Sequence, residues 1–256
     1  CDVNCAMRPN ETELTEVPKL QKRLALMGAM QEELAAILAC MPDAHCERVA
    51  GREFWLGHFE GHDVVAVLSG IGKVAAALTA TVLIDKFQVH SIVFTGVAGG
   101  LAAQAKVGDV VVANALLQHD MDASPLFPPY VVPLTGCAQF PSDATITQCL
   151  VRSARQALPH VTVHEGLVIS GDQFVSSSAA SRQLQTDLPE AMAVEMEGAA
   201  LAQVCRDFGV PLGVVRTISD RADDDAHTDF SKFVQDVASH YSVTIVSAFL
   251  KQFPKS

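Results

Sequence analysis

The sequence has no cluster of Lys or Arg, and its 29 acidic against 18 basic side chains leave a formal net charge of −11. That balance argues against a nucleic acid or an anionic membrane surface as partner. No stretch has the uninterrupted apolar length of a membrane span. The nearest, toward the C-terminus, is broken by Lys232, Asp236 and His240. The seven cysteines (Cys1, Cys5, Cys40, Cys46, Cys137, Cys149 and Cys205) form no Cys-x-x-Cys, so zinc and dithiol redox motifs are unsupported. Their odd, unpatterned set reads as mostly free, packed thiols. Residues 1–20 lack the apolar core of a signal peptide, and no repeat or low-complexity tract occurs.

What is present is enough apolar residue, 49% of 256 positions, to bury a sizeable core. Strands alternate with helices, so one domain over residues 23–256 is expected, preceded by a flexible polar tether over 1–22. The chain begins on Cys rather than Met. A Cys followed by a polar tether resembles a processed bacterial lipoprotein, which leads to the expectation of a lipid anchor on Cys1 and a periplasmic or membrane-anchored protein. A cytoplasmic protein with an arbitrary start is the alternative.

Leu24–Met27 reads as a first strand, ending at Gly28-Ala29-Met30, with a helix from Gln31 that turns Leu34, Ile37 and Leu38 inward. Residues 54–59 and 64–68 read as a hairpin around Glu60-Gly61-His62. An Ala-rich helix follows to about Lys86. A buried strand over 91–95 ends at Gly96, and another strand covers 107–117. A Pro-rich loop spans 118–141, long for a compact domain and so expected to be functional or to contact a partner. A helix over 144–158, a strand over 166–170 and a helix near 181–187 come next. The stretch Ala193-Val194-Glu195-Met196-Glu197 then turns straight into a helix through Ala199, Ala200, Leu201 and Val204. The last core strand, 212–218, ends in Ser219-Asp220, and one long amphipathic helix is expected from Phe230 to Ala248. This order implies an α/β domain, a three-layer α/β/α sandwich with a mixed central sheet.

Several motifs fail on inspection. Gly70-Ile71-Gly72-Lys73-Val74-Ala75 has the glycine spacing of a dinucleotide site, but no acid ends the following strand, so no nicotinamide cofactor is expected. His160 and His164 are four apart in a strand-like context, where both rings would not reach one metal. Asp223-Asp224-Asp225 lacks the central Gly of a calcium loop. No metal and no cofactor is therefore expected. Glu33, Phe174, Glu197 and Asp220 each have a bland explanation, as helix-dipole partners, core or loop starter. Taken together they put three carboxylates and an aromatic at one edge of a sheet, which suits cleavage of a glycosidic bond.

Six motifs occur in order after residue 23: Gly28-Ala29-Met30-Gln31-Glu32-Glu33, Ser69-Gly70-Ile71-Gly72-Lys73-Val74, Thr95-Gly96-Val97-Ala98-Gly99-Gly100-Leu101, Ser170-Gly171-Asp172-Gln173-Phe174, Val194-Glu195-Met196-Glu197 and Arg216-Thr217-Ile218-Ser219-Asp220. On these the chain resembles the 5′-methylthioadenosine/S-adenosylhomocysteine nucleosidases of the nucleoside phosphorylase fold. The resemblance implies that Asp220, with a pKa raised by burial, protonates adenine N7. It also implies that Glu33 activates water and that Glu197 grips the ribose hydroxyls. Met196 would pack on the sugar, Phe174 stack on adenine, and Val175 hold the adenine edge through its backbone. Glu195 and Ser219 belong to the same substrate site, and Ile71 and Phe230 would line the pocket for the 5′-alkylthio group. Family members are usually homodimers, and Phe127 in the long loop is the expected contribution of the partner subunit. One departure stands out: Val97 occupies a position where the family commonly has Ser, so a hydroxyl near the attacking water is missing.

A phosphorylase of the same fold would need cationic or N–H donors for phosphate, whereas the first loop offers Gln31, Glu32 and Glu33. Water is the better acceptor. A hydrolase for a related adenosine-type nucleoside, such as aminodeoxyfutalosine or 5′-deoxyadenosine, stays open. So does a non-catalytic nucleoside-binding lipoprotein, although such a protein would typically have lost one of the three carboxylates.

Overall fold

Apolar runs with few polar interruptions make strands buried on both faces, and here they form the centre of the molecule. The computed structural model describes residues 23–233, 237 and 239–255. The tether expected over 1–22, with Cys1 at its head, lies outside the described residues.

The first strand, β1 (Arg23–Gly28), leads into α1 (Gln31–Leu38), which buries Leu34 and Ile37. An antiparallel meander follows, β2 (His45–Val49), β3 (Arg52–Phe59) and β4 (His62–Leu68). Then come α2 (Lys73–Asp85), β5 (Val89–Gly100), β6 (Val110–Gln118) and the short β7 (Gln139–Pro141). The chain continues through α3 (Ala144–Ala157), β8 (Val163–Ser170), α4 (Ser178–Asp187), β9 (Ala191–Glu195) and α5 (Gly198–Phe208). It ends with β10 (Leu212–Asp220), α6 (Ala226–Phe233) and α7 (Ser239–Gln252).

The described strands form one mixed sheet in the order β10-β6-β8-β9-β5-β1-β4-β3-β2, with β7 beside β6. Successive side chains of a strand point to opposite faces. Along β1, Leu24 and Leu26 join a core that includes Ile245 and Phe249 of α7, while Ala25 and Met27 join the opposite core with Leu201 of α5. On one face α2 packs on α5, and on the other α1 and α3 pack on α7. These are the expected three layers. The sheet is not simply open, however. β10 pairs in parallel with β5 as well as antiparallel with β6, so β5, β10, β6, β8 and β9 close into a circuit.

Three local expectations need correction. The strand expected to end at Gly96 continues through Gly100, because β10 and β9 supply hydrogen-bonding partners for its glycine-rich end. A Cβ at Gly96 would lie 2.9 Å from the Arg216 guanidinium, and one at Gly99 would lie 2.9 Å from the Asp220 carboxylate. These glycines therefore mark close approach, not a turn. β2 was not anticipated; it is an edge strand with no fully buried residue, so its sequence carries no two-residue alternation of burial. Of the long C-terminal helix expected, the described residues give α6, which packs on β10, and α7, which packs on α1 and α3; of the stretch between them only residue 237 is among the described residues. Of the thiols, Cys149 and Cys205 are packed, but Cys40 and Cys46 are exposed. The 118–141 segment is largely irregular, as read, with β7 at its end pairing with β6. His164 lies on β8 and meets Asp109 at 2.9 Å.

Candidate active site

The strand ends converge on a cavity of about 420 Å³. β1 brings Ala29 and Met30 to its wall, β5 brings Val97, Ala98 and Gly99, and β10 brings Ser219 and Asp220. β9 and the residues after it supply Glu195, Met196 and Glu197. Ile71, Phe174, Val175 and Phe230 complete the expected set that lines it. Glu33 and Phe127 do not line it.

The β9–α5 junction shows how neighbouring carboxylates come to differ. The first turn of a helix leaves N–H groups without intrahelical partners. Here Glu195 accepts from Gly198 N–H at 2.9 Å and from Glu197 N–H at 3.2 Å, and Ser170 Oγ accepts from Ala199 N–H at 2.8 Å. The Ser170 hydroxyl donates in turn to Glu195 Oε1. Glu195 Oε2 also receives Arg216 Nη2 at 2.7 Å. Arg216 is fully buried in β10, its guanidinium 3.8 Å from the centre of the Phe94 ring. Both oxygens of Glu195 are thus held by protein donors.

Glu197 points the other way. Its Oε1 accepts the Gly72 N–H at 2.8 Å. Gly72 has φ +90°, which a side-chain-bearing residue rarely adopts, and it starts α2 at that angle. Burial and the nearby Glu195 charge push the Glu197 pKa up to about 7, against the opposing pull of the Gly72 N–H and Arg216.

Asp220, at the end of β10, is 2% exposed. Its Oδ1 accepts from Ala222 N–H and its Oδ2 from the Ser219 hydroxyl, both at 2.8 Å. Glu33, at the third helical position of α1, reaches back to accept Met30 N–H at 3.0 Å and Ala29 N–H at 3.3 Å. A Glu at that position commonly closes a helix start in this way. Its other oxygen receives the Ser242 hydroxyl of α7 at 2.5 Å, and Thr95 Oγ1 donates to Ser242 at 2.9 Å. Burial raises the Glu33 pKa, with Ser242 and Arg216 acting in the opposite sense. Glu33 therefore stands directly behind the Ala29–Met30 wall.

The mouth is aromatic and apolar. Phe174 and Phe230 meet edge to face with ring centres 5.7 Å apart. Phe174 is 43% exposed and Ile71 is 77% exposed. Val97 packs with Met30, Phe230 and Phe233. Among the described lining residues there is no Lys or Arg.

A family model described as the phosphorylase superfamily matches residues 23–251. The 5′-methylthioadenosine/S-adenosylhomocysteine nucleosidase of Shewanella denitrificans is 37% identical over 233 residues, covering 90% of this chain and 99% of that one. The chain belongs to the phosphorylase superfamily, among its methylthioadenosine/adenosylhomocysteine nucleosidases. In structure, this nucleosidase family member is similar to the Neisseria meningitidis enzyme of that name, in complex with methylthio-immucillin-A. The TM-score is 0.86 and the identity 34%, over 91% of this chain and all of the other. It is also similar to the futalosine hydrolase of Helicobacter pylori, with TM-score 0.85 and 33% identity over 91% of this chain and 99% of that one.

Three parts of the nucleosidase site were not singled out in the sequence. Arg216 could have been, since a lone Arg inside the apolar run Leu212–Thr217 must have a buried partner. Ser242 had no such signal, because it reaches Glu33 across 209 positions of chain. The Gly72 N–H is a backbone group and leaves no trace in side-chain composition.

Proposed function

We infer that the protein hydrolyses the N-glycosidic bond of 5′-methylthioadenosine and S-adenosylhomocysteine, releasing adenine and the 5-thio-ribose product. The observation that carries this reading is a single cavity in which the buried carboxylates of Asp220 and Glu197 face the rings of Phe174 and Phe230. Breaking the bond leaves positive charge on the ribose and negative charge on the purine. We assign Asp220 to protonate adenine N7, with Ser219 and Ala222 N–H orienting its carboxyl. The family resemblance assigns Glu33 to take the proton of the attacking water; to do so its carboxylate must leave the Ala29 and Met30 N–H groups that hold it behind the wall and turn into the cavity. Glu197 binds the ribose hydroxyls, and its negative charge favours the cationic sugar. Phe174 stacks on adenine, Val175 offers its backbone to the adenine edge, and Met196 packs on the sugar. Ile71 and Phe230 take the 5′ substituent. Glu195 contributes through Arg216 and the start of α5, since its oxygens are already occupied. A cavity lined by carboxylates without Lys or Arg favours water over phosphate as acceptor.

The assembly consistent with this site is a homodimer. Ile71 and Val74 are 77% and 80% exposed beside the mouth, and Leu126 in the long loop is 85% exposed, apolar surface that calls for cover. The second copy would place its Phe127 over the 5′ end of the pocket.

A second reading is supported by the likeness to the futalosine hydrolase. The mouth at Ile71 and Phe174 is open enough to accept a different 5′ substituent. The test measures adenine release from methylthioadenosine, S-adenosylhomocysteine and aminodeoxyfutalosine, each with and without phosphate and EDTA. Release from the first two without phosphate and unaffected by EDTA is expected. Strict phosphate dependence would overturn the hydrolase reading, and release from aminodeoxyfutalosine alone would select the second.

A further inference from the structure

Asp172 lies just outside the cavity, in the segment between β8 and Phe174, and no role in the reaction has yet been assigned to it. Its Oδ1 accepts the Lys73 N–H at 2.7 Å, capping α2 from 99 positions away. Gly72 itself has no side chain with which to cap that helix. The carboxylate also rests on Gly72, where a Cβ would lie 2.9 Å from Oδ1. Asp172 is tethered in its turn, for its N–H donates to Asp120 Oδ2 at 3.0 Å. Asp120 Oδ1 meets Lys73 Nζ at 2.6 Å, and Lys73 Nζ also donates to Gln118 at 3.1 Å. Two loops are thereby riveted together. One carries Ile71 and the Gly72 N–H that holds Glu197; the other carries Phe174 and Val175.

We propose that Asp172 is a positioning residue: by fixing the Gly72–Lys73 turn, it aims the Gly72 N–H at Glu197 and so orients that carboxylate toward the ribose hydroxyls. This rests on the nucleosidase reading above. Loss of the rivet frees the turn without removing any group that touches substrate, so ground-state grip suffers before chemistry does.

The experiment compares Asp172→Ala with Asp172→Asn, whose side-chain oxygen still accepts the Lys73 N–H, in steady-state adenine release from methylthioadenosine. Asp172→Ala should raise KM roughly fivefold, the scale of a lost helix cap, with kcat changed less. Asp172→Asn should stay near wild type. In a Glu197→Ala background, which has no acceptor left for the Gly72 N–H, Asp172→Ala should add little further to KM, because the two act through one contact. Lys73→Pro deletes the same donor from the other side, together with the Nζ contacts to Asp120 and Gln118 that belong to the same rivet. Proline suits the first helical position, and the ψ of 165° at Gly72 suits a residue before proline. That variant should also raise KM, which keeps the test open if Asp172→Ala does not fold. An unchanged KM, an effect that adds fully to that of Glu197→Ala, or equal losses in Asp172→Ala and Asp172→Asn would overturn the proposal. A wild-type protein inactive on every nucleoside would instead overturn the functional reading, and this inference with it.

Discussion

Replacing Glu197 by Gln should make the protein more stable at alkaline pH while weakening its catalysis. Glu197 is 7% exposed, and its pKa is raised from 4.5 to about 7, first by burial and then by the Glu195 charge. The folded state therefore holds this proton more tightly than the unfolded state does. Stability is lost as pH rises from about 4.5 to 7, and the loss is complete above that window. At ~1.36 kcal/mol per pKa unit, the shift corresponds to about 3 kcal/mol at pH 8 and less than about 1 kcal/mol at pH 5. Gln has the same shape, does not titrate, and keeps an oxygen for the Gly72 N–H. For a chain of this length, about 3 kcal/mol is roughly 6 to 12 °C in Tm. Thermal melts of wild type and Glu197→Gln at pH 5 and pH 8 should show the variant ahead by that margin at pH 8 and nearly level at pH 5. Adenine release should show a raised KM and a lower kcat in the same variant, the pattern of a group kept for function at a cost to the fold. A Tm difference that is the same at both pH values, or a variant less stable at pH 8, would refute the reasoning.

Asp220→Asn should retain nucleoside binding but lower kcat on the order of 10²-fold or more, since the amide can donate a hydrogen bond to N7 but cannot transfer a proton; single-turnover adenine release alongside equilibrium binding checks this. Arg216→Met should cost roughly 3–5 kcal/mol by leaving Glu195 buried and unpaired, and adding Glu195→Gln should recover part of it, as urea titration of both variants would show. Val74→Asp should shift the protein toward monomer in sedimentation and reduce activity at dilution; a fully active monomer would count against the shared pocket.

The sequence by itself determined the alternation of strands and helices and the two-faced burial of the central strands. It also placed Glu33, Glu197 and Asp220 at strand or helix ends. These are local properties: runs such as Leu24–Met27 and Ile92–Phe94 are apolar throughout, and an acid after a strand is visible in the linear order. Only the tertiary structure decided which partners each acid meets. Glu195 and Glu197 are two residues apart and look alike in the sequence, yet Arg216 and the start of α5 claim the first, while the Gly72 N–H holds the second at the cavity. Glu33 is tied by a serine from the last helix, more than two hundred positions away. The glycines at 96 and 99 looked like a strand's end because nothing near them in the chain announces Arg216 and Asp220. The β5–β10 pairing that closes part of the sheet follows the same rule, since it depends on segments more than a hundred residues apart. Local pattern fixes which elements form, whereas the protonation and partners of a buried carboxylate depend on whatever charge and donors the fold brings beside it.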